Sequence, residues 1–60
     1  MEPIAKSGEL ILYADANRRT GVLYDSIRGT VSDRESLQVF FKWGNFVALT
    51  DTEKEEMESQ

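Results

Sequence analysis

The sequence contains no cysteine and no histidine among its 60 residues. Without cysteine there is no disulfide to hold the fold together and no thiolate to serve as nucleophile or metal ligand. Without histidine the chain lacks the commonest metal ligand and the commonest general base at neutral pH. We therefore expect no enzymatic activity, no cofactor and no metal. The missing cysteine also suggests the reducing cytoplasm as the location.

Long hydrophobic runs are missing as well. No segment approaches the ~20 apolar residues of a membrane-spanning helix, and residues 1–6 lack the basic head and apolar segment of a secretory signal. We therefore expect no membrane partner. A chain this short buries only about 60% of the surface that its unfolded form exposes. Oligomerisation is the remaining way to stabilise it. The sequence therefore leaves open whether the protein is a homo-oligomer or a monomer.

The net charge is −4, and the acidic excess lies at the C-terminus. Residues 51–60 hold five acidic side chains and one basic one, which leaves six of each sign in residues 1–50. Domains that bind nucleic acid tend to be basic on one face, and this neutral body does not match them. The acidic tail could dock on a basic partner, but a solubilising end is the simpler interpretation.

Turn residues and charge divide the chain into three parts: a flexible N-terminal arm at 1–8, a small β domain at 9–50, and an acidic tail or helical turn at 51–60. Within the β domain, alternating apolar residues predict strands at 9–14 and 22–27. A further short β segment is expected at Thr30 and Val31. In the tail, Thr52 and Glu55 fit a capping box, so we expect one marginal helical turn there.

Most of the large apolar side chains lie in residues 37–49, interrupted only at Gly44-Asn45. Their alternation and their β-branched and aromatic composition favour a strand at 37–43, which would fold back on a two-residue turn as a β-hairpin. A helix at 32–43 is the alternative. Ser32 and Glu35 fit a capping box, and Gly44 fits the glycine that ends many helices.

Two stretches, RTGVLYD at residues 19–25 and VFFKWG at residues 39–44, resemble strands of SH3-like and Sm-like barrels. The resemblance covers about residues 9–50. It implies an all-β fold, either a small barrel or a curled antiparallel meander of four to five strands, with a short C-terminal helical turn. The alternative is an α+β fold with the helix at 32–43. Such barrels host many functions, so the resemblance implies no particular activity.

Basic and aromatic residues are expected to meet at one end of this sheet, because the first loop and the hairpin turn fall at the same end of a meander. Arginine beside an exposed aromatic ring can stack on bases or anchor a protein partner. A simple cross-strand core pair with solvated arginines explains the same residues. The candidate nucleic-acid residues are Arg18, Arg19, Lys42, Trp43 and Phe46.

The other face of the predicted hairpin is a second candidate. It carries Phe40, Val47 and Leu49, and Ile11 and Tyr13 could extend it. If this face is exposed, it would be an interface with a partner or with a second copy. If it is covered, it would form the far wall of a barrel.

The sequence thus favours a small non-enzymatic module that regulates or inhibits another protein by binding it through residues 37–49. A nucleic-acid-binding barrel is the first alternative, and a structural oligomer subunit is the second. The candidate partner-binding residues are Phe40, Lys42, Trp43, Asn45, Phe46, Val47, Leu49, Arg18 and Arg19.

Overall fold

The computed structural model describes residues 1–58, which form a mostly antiparallel β-sheet with two short helices. The expected mainly-β class is confirmed, but the sheet is not closed into a barrel. The elements in chain order are β1 (Glu2–Ser7), β2 (Leu10–Ala14), β3 (Thr20–Asp25), β4 (Thr30–Val31), β5 (Glu35–Ser36), α1 (Leu37–Trp43), β6 (Val47–Ala48) and α2 (Asp51–Glu58).

The strands lie in the order β4-β3-β2-β1-β6, and β5 pairs with β3 beside β4. Strands β2 and β3 correspond to the strands expected at 9–14 and 22–27, and β4 to the expected short segment. The second of these strands is shifted toward the N-terminus, because it begins at Thr20 and ends at Asp25.

The N-terminal segment is part of the sheet, so the expectation of a loose arm at 1–8 was wrong. Strand β1 pairs with β2 through a two-residue turn in which Gly8 has a φ of +60°. A glycine with positive φ at the first position of such a turn suits the twist of a hairpin. Pro3 is tolerated because the register shifts between Pro3 and Ala5, and a β-bulge is one of the places in a sheet where proline fits.

Residues 37–43 are helical, so the favoured strand and the hairpin at 37–49 were wrong. Leu37 and Phe40 lie one helical turn apart and pack on Ala5, Leu12 and the sheet around them. That burial outweighs the β-propensity of the segment, because tertiary packing overrides local preference. The helix of the alternative prediction is present, but it is shorter than 32–43.

The proposed capping box at Ser32 and Glu35 is not used. The Ser32 hydroxyl accepts a hydrogen bond from the Leu23 N–H at 2.8 Å and so covers part of the β3 edge. The helix instead begins after Ser36, whose side chain makes no capping bond. Helix α1 therefore depends on the packing of its inner face.

Gly21 lets α1 approach the sheet closely. A Cβ atom at this position would stand 2.7 Å from Leu37 Cδ2 and 2.2 Å from the carbonyl oxygen of Tyr13. Both distances are below van der Waals contact, so a larger residue would push the helix away from β3. The side chains of Ala5, Leu12 and Phe40 form the centre of this covered face.

Helix α2 confirms the expected helical turn but begins with a different capping box. The Thr50 hydroxyl accepts from the Glu53 N–H, and the Glu53 carboxylate accepts from the Thr50 N–H, each at 3.2 Å. The predicted pair Thr52 and Glu55 lies two residues further on, inside the helix. Glu53 also forms an ion pair with Lys6, which attaches α2 to β1.

The second face of the sheet lies opposite α1, and within residues 1–58 helix α2 contacts the sheet at β1. In the register, Ile11 pairs with Tyr24, Tyr13 with Val22, and Tyr24 with Val31, so these side chains share one side of the sheet. We call this the open face: Ile11, Tyr13, Val22, Tyr24 and Val31. Within it Val22 is buried, with 6% exposure, and Val31 is exposed. Lys6 pairs with Ile11, so the ion pair with Glu53 holds α2 at the β1 margin of this face.

Candidate functional site

The N-terminal end of α1 is held by a polar loop at residues 15–20. The Asn17 side-chain oxygen accepts from the N–H groups of Arg19 and Thr20 at 2.8 and 3.1 Å. Arg18 lies between them with a φ of 57°, and the Arg19 carbonyl accepts from the Leu37 N–H at 2.9 Å. The loop thus fixes where the helix starts.

A charged pair joins the same loop to the segment before β5. Arg34 donates two hydrogen bonds to the Asp15 carboxylate, at 2.5 and 3.1 Å, a bidentate geometry. The Arg34 guanidinium, followed by the Thr20 hydroxyl, lowers the pKa of the Asp15 carboxyl below its ordinary value. The pair leaves Asp15 and Arg34 engaged with each other rather than with a ligand.

The C-terminal end of α1 is aromatic and largely uncovered. Trp43 is 84% exposed, and Phe41 is 47% exposed. Phe46 follows the helix and meets Phe41 edge to face, with ring centroids 6.2 Å apart. Val39 lies one turn before Trp43 on the outer side of the helix. We call this group the Trp43 surface: Val39, Phe41, Trp43 and Phe46.

Glycine 44 determines how the Trp43 surface is arranged. Its N–H donates to the Phe40 carbonyl at 3.0 Å and ends the helix. A Cβ at this position would lie 2.3 Å from Phe46 Cε2, so the phenyl ring is packed directly on the glycine. Beside it is a small groove of about 150 Å³, lined on the helix side by Phe40, Trp43 and Phe46. The groove is large enough to receive a side chain.

The predicted meeting of arginines and aromatic residues does not occur. Arg19 contacts the first residue of α1, whereas Trp43 is the last. Seven residues of helix separate the two ends by about 10 Å. Arg18 is 3.4 Å from the Glu2 carboxylate, which engages it in a surface ion pair.

The remaining predicted residues divide into buried and exposed groups. Phe40 and Leu49 are buried and belong to the interior, so the second hairpin face was wrong as an accessible surface. Lys42, Asn45 and Val47 are exposed next to the Trp43 surface. Two of the residues predicted for partner binding, Phe40 and Leu49, therefore lie in the interior.

Sequence reasoning missed Phe41 as a surface residue and missed most of the open face. The strand interpretation placed Phe41 on the same side of the strand as Trp43, opposite Ala48 of the predicted hairpin. In the structure both Phe41 and Trp43 are exposed on α1. Tyr24 and Val31 were each assigned to β segments, but their common side follows only from the pairing of β3 with β4.

Among residues 1–58 no cluster of three or more acidic side chains is placed to hold a metal ion. Neither helix in that part of the chain is long and apolar enough to cross a membrane. A scan against protein-family models and searches of curated proteins and of solved structures found no match.

Proposed function

We propose that the protein is a non-enzymatic interaction module that binds a partner protein through the Trp43 surface. The observation that carries the proposal is the 84% exposure of the chain's single tryptophan. A chain with few large apolar side chains gains stability by burying them. A tryptophan left in water next to a groove is therefore suited to being buried by something else.

The composition of the surface supports a protein partner. Tryptophan is enriched among the few interface residues that carry most of the binding energy, and such residues insert into pockets of the partner. Phe41 and Phe46 support the site because their edge-to-face contact fixes the rings beside the groove. Lys42 and Asn45 are exposed at its margin and can supply the polar rim of an interface.

Binding of nucleic acid is the weaker proposal. Base stacking on Trp43 would need cationic side chains along the same path to follow the phosphates. Arg18 and Arg19 lie at the opposite end of α1, and Lys42 is the one basic residue adjacent to Trp43 in the sequence. The likeness to SH3-like folds and a cytoplasmic location stay predictions, and the proposed function depends on neither.

The test compares partner capture by the wild-type protein with capture by Trp43→Ala. Proteins retained from an extract of the producing cells by the wild type, and lost by the variant, would be purified, and their affinity for the wild type and for the variant would be measured by calorimetry. A central anchor is worth at least about 2 kcal/mol, so we expect Trp43→Ala to weaken binding about 30-fold or more.

Ile27→Ala is the matched control, because Ile27 is 78% exposed and lies in the turn between β3 and β4, away from the groove. It should leave the affinity unchanged. Equal retention of every partner by Trp43→Ala would contradict the proposal. Quenching of Trp43 by single-stranded DNA or RNA at low salt, reversed by added salt, would favour nucleic acid instead.

A further inference from the structure

We infer that the partner segment that binds the Trp43 surface is acidic, and that its carboxylates bind in a cationic cleft at the start of α1. This inference rests on the proposed function and adds the chemistry of the partner. The cleft has a volume of about 390 Å³. Its lining holds two positive charges and no negative one, and all of its polar side chains are exposed. We call it the Arg19 cleft: Arg18, Arg19, Ser36, Leu37 and Gln38.

The Arg19 side chain can bind a ligand although its backbone is fixed. The Arg19 N–H donates to the Asn17 side-chain oxygen at 2.8 Å, and the Arg19 carbonyl accepts from the Leu37 N–H at 2.9 Å. Within residues 1–58 no carboxylate forms an ion pair with the Arg19 guanidinium. A guanidinium has five N–H donors and can bind a carboxylate through two of them at once. Because the loop is already ordered, little backbone freedom is lost when it does so.

The acidic side chains around the cleft leave it positive. Asp15 is occupied by the bidentate ion pair described above. Glu2 reaches one nitrogen of Arg18 at 3.4 Å, and an exposed pair of this kind contributes little, so a partner carboxylate can replace it. Glu35 precedes Ser36 on β5, and alternation along a strand turns its side chain away from the side on which Ser36 lines the cleft. The cleft is therefore positive in a chain that carries −4.

Two rows of exposed side chains run from the cleft along the outer side of α1. Gln38, which lines the cleft, lies one turn before Lys42, and Val39 lies one turn before Trp43. All four side chains are exposed, and α1 contains no carboxylate. The polar row joins the Arg19 cleft to a second cation, and the apolar row beside it belongs to the Trp43 surface. A partner that complements both rows carries carboxylates beside apolar side chains.

The length of α1 sets the spacing of these groups in the partner. The Arg19 cleft is at the first turn of the helix and the groove beside Trp43 is at the last, about 10 Å away. An extended chain advances about 3.3 Å per residue. A carboxylate and an apolar anchor about three residues apart would therefore reach both sites.

Nucleic acid fits the same path less well. A nucleic-acid strand carries a phosphate about every 3.4 Å, so about three phosphates would cross the distance between Arg19 and Trp43. The path offers cations at its two ends, at the arginines of the cleft and at Lys42. A protein segment with few, separated carboxylates matches this arrangement better than a continuous row of phosphates does.

Selection from a displayed library of short random peptides tests the inference, with the wild type, Arg19→Glu and Trp43→Ala as baits. We expect the wild type to enrich peptides that carry Asp or Glu about three residues from a large apolar residue. Arg19→Glu should enrich apolar peptides without the carboxylate, because it replaces the cation in the cleft by a charge that repels it. Trp43→Ala should enrich none of these peptides, because it removes the anchor.

Calorimetry with the most enriched peptide, chemically synthesised, measures the size of the effect. Arg19→Glu should weaken binding about 3- to 10-fold at low salt, and the difference should shrink at high salt because exposed charges are screened. Arg28→Glu is the matched control and should leave the affinity unchanged. It makes the same change at an exposed arginine in the turn between β3 and β4, at the opposite end of β3 from β5. Circular dichroism of each variant shows that it is folded before its binding is compared.

The outcomes separate this inference from the proposed function. Peptides that require Trp43 but carry no acidic residues, or that bind Arg19→Glu as well as the wild type, would overturn the inference and leave the proposed function standing. Selection without any peptide that requires Trp43 would contradict both. An equal loss of affinity in Arg28→Glu would assign the effect to net charge rather than to the cleft. Single-stranded DNA that binds more tightly than the peptide, and is lost in Arg19→Glu, would assign the cleft to phosphates; either result would overturn the inference.

Discussion

The two faces of the sheet carry similar apolar side chains but differ in what covers them. Leu12 has no exposed surface beneath α1, whereas Tyr13, its neighbour on the same strand, lines an open groove. Alternation along β2 supplies apolar residues to both sides, and a chain of 60 residues has one apolar helix to cover them. The face under α1 holds Leu12 and Phe40, so we expect it to contribute most to the stability of the fold, while on the other face Val22 is buried and Val31 stays exposed.

The largest expected effect is on the covered face, from Phe40→Ala. Phe40 is 8% exposed and packs on Ala5 and Leu12, so truncation removes apolar burial and leaves a cavity. Such changes cost about 3–5 kcal/mol, which is comparable to the whole stability of a core this small. Circular dichroism in urea should show the variant largely unfolded.

Phe40→Leu and Phe41→Ala are the controls for that experiment. Phe40→Leu keeps most of the volume and should cost less than about 1.5 kcal/mol, so it stays measurable if the alanine variant does not fold. Phe41→Ala removes an equal side chain from the outer side and should cost about 1 kcal/mol, mainly through lost contact with Phe46. Equal costs for Phe40→Ala and Phe41→Ala would contradict the inward orientation of Phe40.

Gly21→Ala should have the next largest effect, because it separates α1 from the sheet. The added methyl would overlap the Tyr13 carbonyl oxygen and Leu37 Cδ2. Overpacking of this kind costs about 1–3 kcal/mol, and thermal unfolding followed by circular dichroism would measure it. An unchanged midpoint would mean that α1 lies further from β3 than the structure shows.

The sequence was sufficient for the parts of the fold that depend on local chemistry. Alternation predicted β2 and β3, and the acidic tail with its capping residues predicted a helical turn. The segment 37–43 could not be assigned in this way, since its alternation and its helical spacing both fit. The choice depends on Leu37 and Phe40 packing on Leu12, a contact between residues distant in the chain.

The candidate site could be predicted only as far as the secondary structure of residues 37–43 could. Trp43 is exposed because it lies on helix α1, and the predicted strand instead placed its ring in a cross-strand pair. The residues of the open face could be grouped only from the pairing of β3 with β4. Strand β4 has two residues, too few for the sequence to indicate which residue of β3 each one faces. Strand β1 was missed because Pro3 and Gly8 usually mark irregular segments, and here they occupy a bulge and a turn.

The ion pair of Asp15 with Arg34, near the start of α1, can be tested through the pH dependence of stability. We expect a smaller effect here than from Gly21→Ala. Arg34 holds the pKa of Asp15 below its ordinary value of 3.8, so the folded state binds fewer protons than the unfolded state. This contribution is complete above the unfolded pKa and is lost as the pH falls through 3.8 and then through the lower folded value. We expect Asp15→Asn to be less stable than the wild type at neutral pH, and this difference to shrink as the pH falls through 3.8 and then through the lower folded value.

Asp33→Asn is the matched control for Asp15→Asn. It removes one carboxylate from the same region, and Asp33 has no ion pair in the described part of the chain. Urea unfolding at pH 7, 4.5 and 2.5 should show that Asp33→Asn and the wild type differ little in free energy of unfolding, and that this difference does not change with pH. A difference for Asp15→Asn that does not shrink in acid would exclude the Arg34 contact as its cause.

The smallest expected effect on stability comes from Trp43→Ala. Trp43 lies three residues after Phe40, where the expected effect is largest. The indole is 84% exposed, compared with 8% for Phe40, so its removal leaves no internal cavity. Exposed substitutions usually change stability by no more than about 0.5 kcal/mol, and urea unfolding should place the variant in that range. A loss above about 2 kcal/mol would show that the ring is packed in solution, and the Trp43 surface would then belong to the core. A stable variant that no longer binds its partner would assign different roles to two residues of one short helix, with Phe40 stabilising the fold and Trp43 binding the partner.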